Sequence, residues 1–125
     1  MATMTISVPA NVKETFTAIT LATGEVARLD ASGSWNIYGN PLRPCGPAGS
    51  DATANQGGGN HNSQPWPQSG IPEGCLLVYL NGVIKTHFTG PPLLVTGPGV
   101  LGFGPNDNVL GDNVGALQVQ ITIPC

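Results

Sequence analysis

The sequence predicts an all-β domain, a β-sandwich of jelly-roll type made of two antiparallel sheets. Three observations predict it. Eighteen glycines and 12 prolines are spread through the 125 residues, and both break long helices, proline by lacking an amide donor and glycine by its backbone entropy. Between these breakers lie short runs that alternate polar and apolar residues, the period of a half-buried strand. Turn signals recur between the runs, and Asn81-Gly82 is the strongest two-residue hairpin signal among them.

Residues 3–8 alternate and stop at Pro9-Ala10-Asn11. Residues 14–21 alternate again, with Phe16 competing with Ile19 or Leu21 for the inner face. Thr23-Gly24 turns the chain into 25–30, where Val26 and Leu29 are the apolar positions. A fourth strand is expected over 32–38, with Trp35 in the core. The stretch from about 40 to 74 is built of Gly, Pro, Asn, Gln and Ser, with Gly57-Gly58-Gly59 and Pro65-Trp66-Pro67 inside it. A loop of that length is usually functional or disordered. Trp66 either packs against the core edge or stacks on a sugar ring, packing being favoured. Further strands are expected at 75–80, 83–88, 93–96, 100–103 and 116–123. Together they make eight or nine strands in one domain spanning 1–125.

Composition excludes several functions. Charged residues are only 9% and the net charge is −3. Lys13, Arg28, Arg43 and Lys85 are isolated in sequence, so no basic cluster can neutralise phosphates, and nucleic acid is excluded as a partner. The N-terminus has neither the basic start nor the apolar core of a secretory signal. No apolar run approaches the roughly 20 residues that span a bilayer. The expectation is cytoplasmic synthesis without membrane insertion, with release to the cell surface or extracellular space by another route left open.

No Gly-x-Ser-x-Gly is present, nor a phosphate-cradling glycine loop before a lysine. His61, His87 and three scattered cysteines do not make a zinc site, and His87 reads as an ordinary surface or edge residue. The chain is not expected to be an enzyme. Cys45 and Cys75 either form a bridge, worth on the order of 3–4 kcal/mol, or stay reduced with Cys75 as a small buried hydrophobe. The reduced state is the favoured one. Cys125 ends the chain, where fraying argues against a structural role.

The segment 106–115 (Asn-Asp-Asn-Val-Leu-Gly-Asp-Asn-Val-Gly) holds two of the seven acidic residues. Calcium takes about 6–8 oxygens from carboxylates, amides, backbone carbonyls and water. Asp107, Asp112 and Asn113 can supply side-chain oxygens, and Val109 or Leu110 a carbonyl. Gly111 and Gly115 permit the curl. The twelve-residue frame of an EF-hand is absent. Read by composition alone, such a loop is more often a plain turn.

The order of motifs along the chain resembles the PA-IL-like (LecA-like) family of bacterial galactophilic lectins. The C-terminal part of the resemblance is Asn106-Asp107, then Gly111-Asp112-Asn113-x-Gly115, then Leu117-x-Val119-x-Ile121. The N-terminal part is Ser7-Val8-Pro9-Ala10-Asn11, Ala31-Ser32-Gly33-Ser34-Trp35-x-x-Tyr38-Gly39 and Gly46-Pro47-Ala48-Gly49. The resemblance implies a β-sandwich with one calcium ion (Ca2+) that directly coordinates two hydroxyls of galactose.

By that resemblance Asp107, Asp112 and Asn113 are side-chain ligands, Tyr38 gives its backbone carbonyl, and Val109 or Leu110 gives another. Asp107, Asn113 and Tyr38 also face the sugar, with Gln56 as a further sugar contact. Thr53 stands where the family has a histidine, and His61, inside an insertion over 57–74, is the candidate replacement. The loop is two residues shorter than the family's common form, and Asp112 stands where an asparagine can occur. A homotetramer presenting several sites to galactose-type glycans is implied. The alternative is a structural or adhesive β-sandwich in which calcium only rigidifies the loop.

Overall fold

The computed structural model describes residues 2–38, 44–51, 54 and 66–124. Eight strands follow in order: β1 (Ala2–Pro9), β2 (Thr15–Leu21), β3 (Val26–Asn36), β4 (Leu76–Leu80), β5 (Val83–His87), β6 (Leu93–Thr96), β7 (Gly99–Pro105) and β8 (Val114–Ile123). They form two four-stranded antiparallel sheets, ordered β1-β8-β3-β6 and β2-β7-β4-β5. The protein is a β-sandwich, as its alternation predicts. Inward residues of both sheets meet in one core that includes Val8, Leu29, Trp35, Val78, Phe103 and Leu117.

Alternation settles which face each strand buries. On β2, Leu21 is buried and Ile19 packs against the core, while Phe16 points out and is 66% exposed. The ladder to β7 shifts register between Phe16 and Thr20. There the Thr17 hydroxyl donates to the Leu101 carbonyl (2.7 Å) and accepts from the Ile19 N–H (3.0 Å). That local bonding lets Phe16 face solvent while Leu21 faces in.

The two strands expected over 25–30 and 32–38 are one continuous strand. Residues 26–29 pair with β6 and residues 28–36 with β8. Gly33 does not break it: its φ of +96° is absorbed within the ladder, with the Ala116 carbonyl 3.6 Å from where a Cβ would stand. The strand ends at Asn36, whose side-chain Oδ1 accepts the Tyr38 N–H (2.9 Å) and so replaces the next ladder bond.

The described parts of the long polar stretch are tied down. Trp35 and Cys45 exchange backbone hydrogen bonds of 3.0 and 2.9 Å, and the Ser50 N–H donates to the Glu73 carbonyl (2.8 Å). Gly49 (φ +89°) presses so close to the 72–75 segment that a Cβ there would lie 2.8 Å from Pro72. Trp66 is buried, in line with packing rather than an exposed stacking role. Cys45 and Cys75 are both free and buried, and burial first, then the neighbouring Cys45, pushes the Cys75 thiol up to about 12. Cys125, Thr53, Gln56 and His61 lie outside the described residues.

Candidate functional site

The site is built where β3 ends and β8 begins. Asn36 is paired with Val114. Tyr38 lies two residues past that pair on one side, and Asp112 and Asn113 lie just before it on the other. Tyr38 and the acidic loop therefore both flank the last β3–β8 pair, although they are more than 70 residues apart in sequence. The Tyr38 hydroxyl lies 2.8 Å from Ser50 Oγ and donates to Glu73 Oε1 (2.9 Å), which fixes the residue on its other side. Tyr38, Cys45, Gly46, Gly49, Ser50 and Asp51 line a groove of about 360 Å³ there.

Three residues of the loop are anchored individually. Asn106 is fully buried; its Nδ2 donates to the carbonyls of Gln68 (2.9 Å) and Pro72 (3.1 Å), and its Oδ1 accepts the Gln68 N–H (3.0 Å). Asn113 Nδ2 donates to the Ala10 carbonyl (2.7 Å), and the Ala10 N–H donates to the Gly115 carbonyl (2.9 Å). The Asp107 Oδ1 accepts the Val109 N–H (3.3 Å), an Asx turn that starts the curl. The Asn113 N–H then closes it on the Leu110 carbonyl (3.1 Å).

This bonding leaves a specific pair of atoms bare. With Nδ2 held by Ala10, Asn113 Oδ1 is buried without a hydrogen-bond partner, and so is Asp107 Oδ2. Buried polar side-chain atoms are partnered in the large majority of cases. Here the two orphans are both hard oxygens, in one loop, and are two of the side-chain ligands the sequence predicts. Burial also pushes the Asp107 carboxyl up to about 6, opposed by the Asn113 side chain and the Val109 N–H and reinforced by Asp112. A buried carboxylate with this desolvation cost is one that a cation would stabilise. The donor set thus fits a calcium ion. Among the described residues no group of three or more His, Cys, Asp or Glu side chains is placed to hold a metal, so any centre here draws on amide and backbone oxygens as well.

Asp107, Val109, Asp112 and Asn113 lie in the one loop that leads into β8, and Tyr38 lies two residues past the end of β3. Asp107 and Asn113 are buried, while Asp112 is exposed at the loop tip. The Leu110 carbonyl already serves the Asn113 N–H. The expectations for Thr53, Gln56 and His61 fall outside the described residues. Sequence reasoning gave Asn106 no role beyond opening the loop motif, whereas it is a staple for the 66–72 segment. It also had no role for Ala10 beyond ending β1. The signal for both lies in their position: each is adjacent in sequence to a strand end that the loop must meet.

No family profile matches this chain, and no curated protein matches it. Among solved structures it is similar to one described as the EclA N-terminal domain, a PllA-like lectin. The match has a TM-score of 0.59 and 20% identity, over 96% of this chain and 95% of that one. What the two share is the fold.

Proposed function

We propose that the protein is a calcium-dependent lectin for galactose-type glycans. The observation that carries this reading is the pair of buried, unpartnered oxygens, Asp107 Oδ2 and Asn113 Oδ1, in a loop of calcium-type composition. The likeness of the fold to a lectin domain supports it. In this reading Asp107, Asp112 and Asn113 hold the ion with their side chains, and Tyr38 and Val109 with their carbonyls. Val109 is preferred over Leu110 because the Leu110 carbonyl is already bonded. About five protein oxygens leave about two of calcium's usual positions open, and a bound calcium would supply these to vicinal sugar hydroxyls.

The chain's own contribution is orientation. Ala10 fixes the amide of Asn113 so that its oxygen faces the loop, and Asn36 fixes the backbone at Tyr38. Asp107 and Asn113 have oxygens to accept hydroxyl protons, and Thr53, Gln56 and His61 are proposed as further contacts. Hydroxyls that trade water for protein partners gain little net energy, so useful avidity calls for several linked sites. A homotetramer of closed symmetry is the proposed assembly.

Calorimetry tests the reading directly. Calcium titrated into chelator-stripped protein should bind at one site per chain, and galactose should then give heat only in the calcium-loaded form. Asp107→Asn should lose both. Calcium binding with no response to any of a panel of sugars would leave the metal and refute the lectin; no calcium binding would refute both.

A further inference from the structure

The outer face of the β2-β7-β4-β5 sheet carries a second feature that the calcium loop does not use, a cleft of about 750 Å³. Alternation along β4 sends Leu76 and Val78 into the sandwich core and Leu77 and Tyr79 to the opposite face. Tyr79 pairs with Gly102 on β7. The absence of a side chain there makes room for Glu14, whose carboxylate would collide with any Cβ at Gly102. Glu14 and Tyr79 therefore stand together at the floor of the cleft. Phe16 and Val83, 66% and 68% exposed, form its walls with Ile84 and Val12.

Two polar atoms at this floor have no partner: Glu14 Oε2 and the Tyr79 hydroxyl, both buried, with Tyr79 itself only 3% exposed. Leaving such a group buried and unbonded is unfavourable. Here two adjoin, one an acceptor only and the other able to accept. Burial pushes up the Glu14 carboxyl, opposed by the Lys13 charge, and it pushes up the Tyr79 hydroxyl, which the Glu14 charge raises further. What Glu14 lacks is a donor, and a positive one relieves the carboxylate best.

We propose that this cleft binds a small organic amine, its ammonium donating to Glu14 Oε2 and the Tyr79 oxygen and its apolar body lying against Phe16 and Val83. An ammonium offers three donors and no acceptor, and a charge-assisted bond to a carboxylate is about twice as strong as a neutral one. Aromatic side chains favour a desolvated cation nearby. The volume falls within the range of about 300–1,000 Å³ typical of small-molecule sites. The exposed Lys13 at the rim supplies an opposing charge, which argues for a single ammonium rather than a polyamine. This site is independent of the calcium loop and does not rest on the lectin reading.

The probe is phenethylamine, titrated into the full chain with chelator present and followed by calorimetry and amide NMR. Saturable one-to-one binding is expected, with shifts concentrated at Glu14, Phe16, Tyr79 and Val83. Phenethyl alcohol, which keeps the body and loses the charge, should bind at least about tenfold more weakly, and Glu14→Gln should weaken the amine by a similar factor. Phe16→Ser, at an exposed position, should weaken it without touching the core. Asp107→Asn should leave it unchanged, which separates a failure here from a failure of the calcium site. Absence of saturation, equal binding of the alcohol, or full binding by Glu14→Gln in a folded protein would overturn the proposal.

Discussion

Asn106→Ala removes the staple between β7 and the 66–72 segment, and its cost follows from the bonds counted at the site. The wild-type side chain is fully buried and makes three hydrogen bonds, two donated by Nδ2 and one accepted by Oδ1. A typical intramolecular bond contributes about 0.5–1.5 kcal/mol net, and a buried partner left bare costs about 1–3 kcal/mol. Gln68 is exposed and Pro72 half-buried, so water recovers part of what their groups lose. The expected loss is therefore about 3 kcal/mol, near the lower end of those sums. For a domain of this size that is a fall of roughly 10 °C in Tm.

The backbone bonds at the same residue survive the change. Asn106 N–H still donates to the Cys75 carbonyl (2.9 Å), and Gly74 N–H to the Asn106 carbonyl (2.7 Å). The β4–β7 ladder should stay intact and the loss should concentrate at 66–72. Urea unfolding in chelator measures the global term, with m unchanged if the denatured state is unaffected. Amide exchange at Gln68 reads the local one and should accelerate. Asn106→Asp keeps the acceptor but loses both donors, and it sets a second carboxylate beside Asp107, so it should be no better than alanine. A loss below about 1 kcal/mol for both variants, with Gln68 still protected, would show that the staple is not holding the segment.

Two further predictions concern the sheet and the acid loop. A Cβ at Gly104 would strike the Lys13 backbone carbonyl, whereas one at Gly102 would strike the movable end of Glu14; Gly104→Ala should therefore destabilise by about 1–3 kcal/mol in thermal unfolding, and Gly102→Ala by clearly less. Equal losses would refute the distinction. In calcium-free protein the Asp107 carboxyl is raised from 3.8 to about 6, so the folded state holds its proton more tightly than the unfolded state does. Its contribution is present below pH 4 and is lost as pH rises through about 6, on the order of 3 kcal/mol. Comparing unfolding curves of wild type and Asp107→Asn across that window isolates it; identical slopes would refute it.

Much of the sandwich was legible because its strands carry a period of two. The run from 116 to 123 alternates cleanly, and β8 is the strand that both β1 and β3 pair with. Where the period is weak, the reading stopped short. The reading divided β3 at Ala31, ahead of Ser32-Gly33-Ser34, yet the ladder to β8 continues across all of them, because a glycine within a paired strand is tolerated when its neighbours on both sides are held. The inner face of β2 was undecided between Phe16 and Leu21, since a register shift lies between them and sequence carries no mark of it.

The acidic loop was legible as composition and not as geometry. Its residue types pointed to calcium, but a turn uses the same types for its own backbone. The distinction depends on which oxygens the turn consumes. Asp107 Oδ1 and the Leu110 carbonyl are consumed by N–H groups within the loop. Asp107 Oδ2 and Asn113 Oδ1 are not, and the second is left bare only because Ala10, 103 residues away, holds the amide nitrogen. No local pattern encodes a contact at that separation.

Asn106 also stands between the two proposed sites. On one side it precedes Asp107; on the other it grips Gln68, which lines the cleft over Tyr79. Releasing the 66–72 segment would therefore open the cleft and loosen the start of the acidic loop together, although the sites share no ligand group. Simultaneous loss of calcium and amine binding in Asn106→Ala would reflect this common anchor, not a thermodynamic coupling between ligands. True coupling requires that each ligand change the other's affinity by the same factor in the wild-type chain. Titrating phenethylamine with and without calcium measures that factor, and the separate anchoring of Asn113 by Ala10 and of Glu14 by the space at Gly102 predicts a value near one.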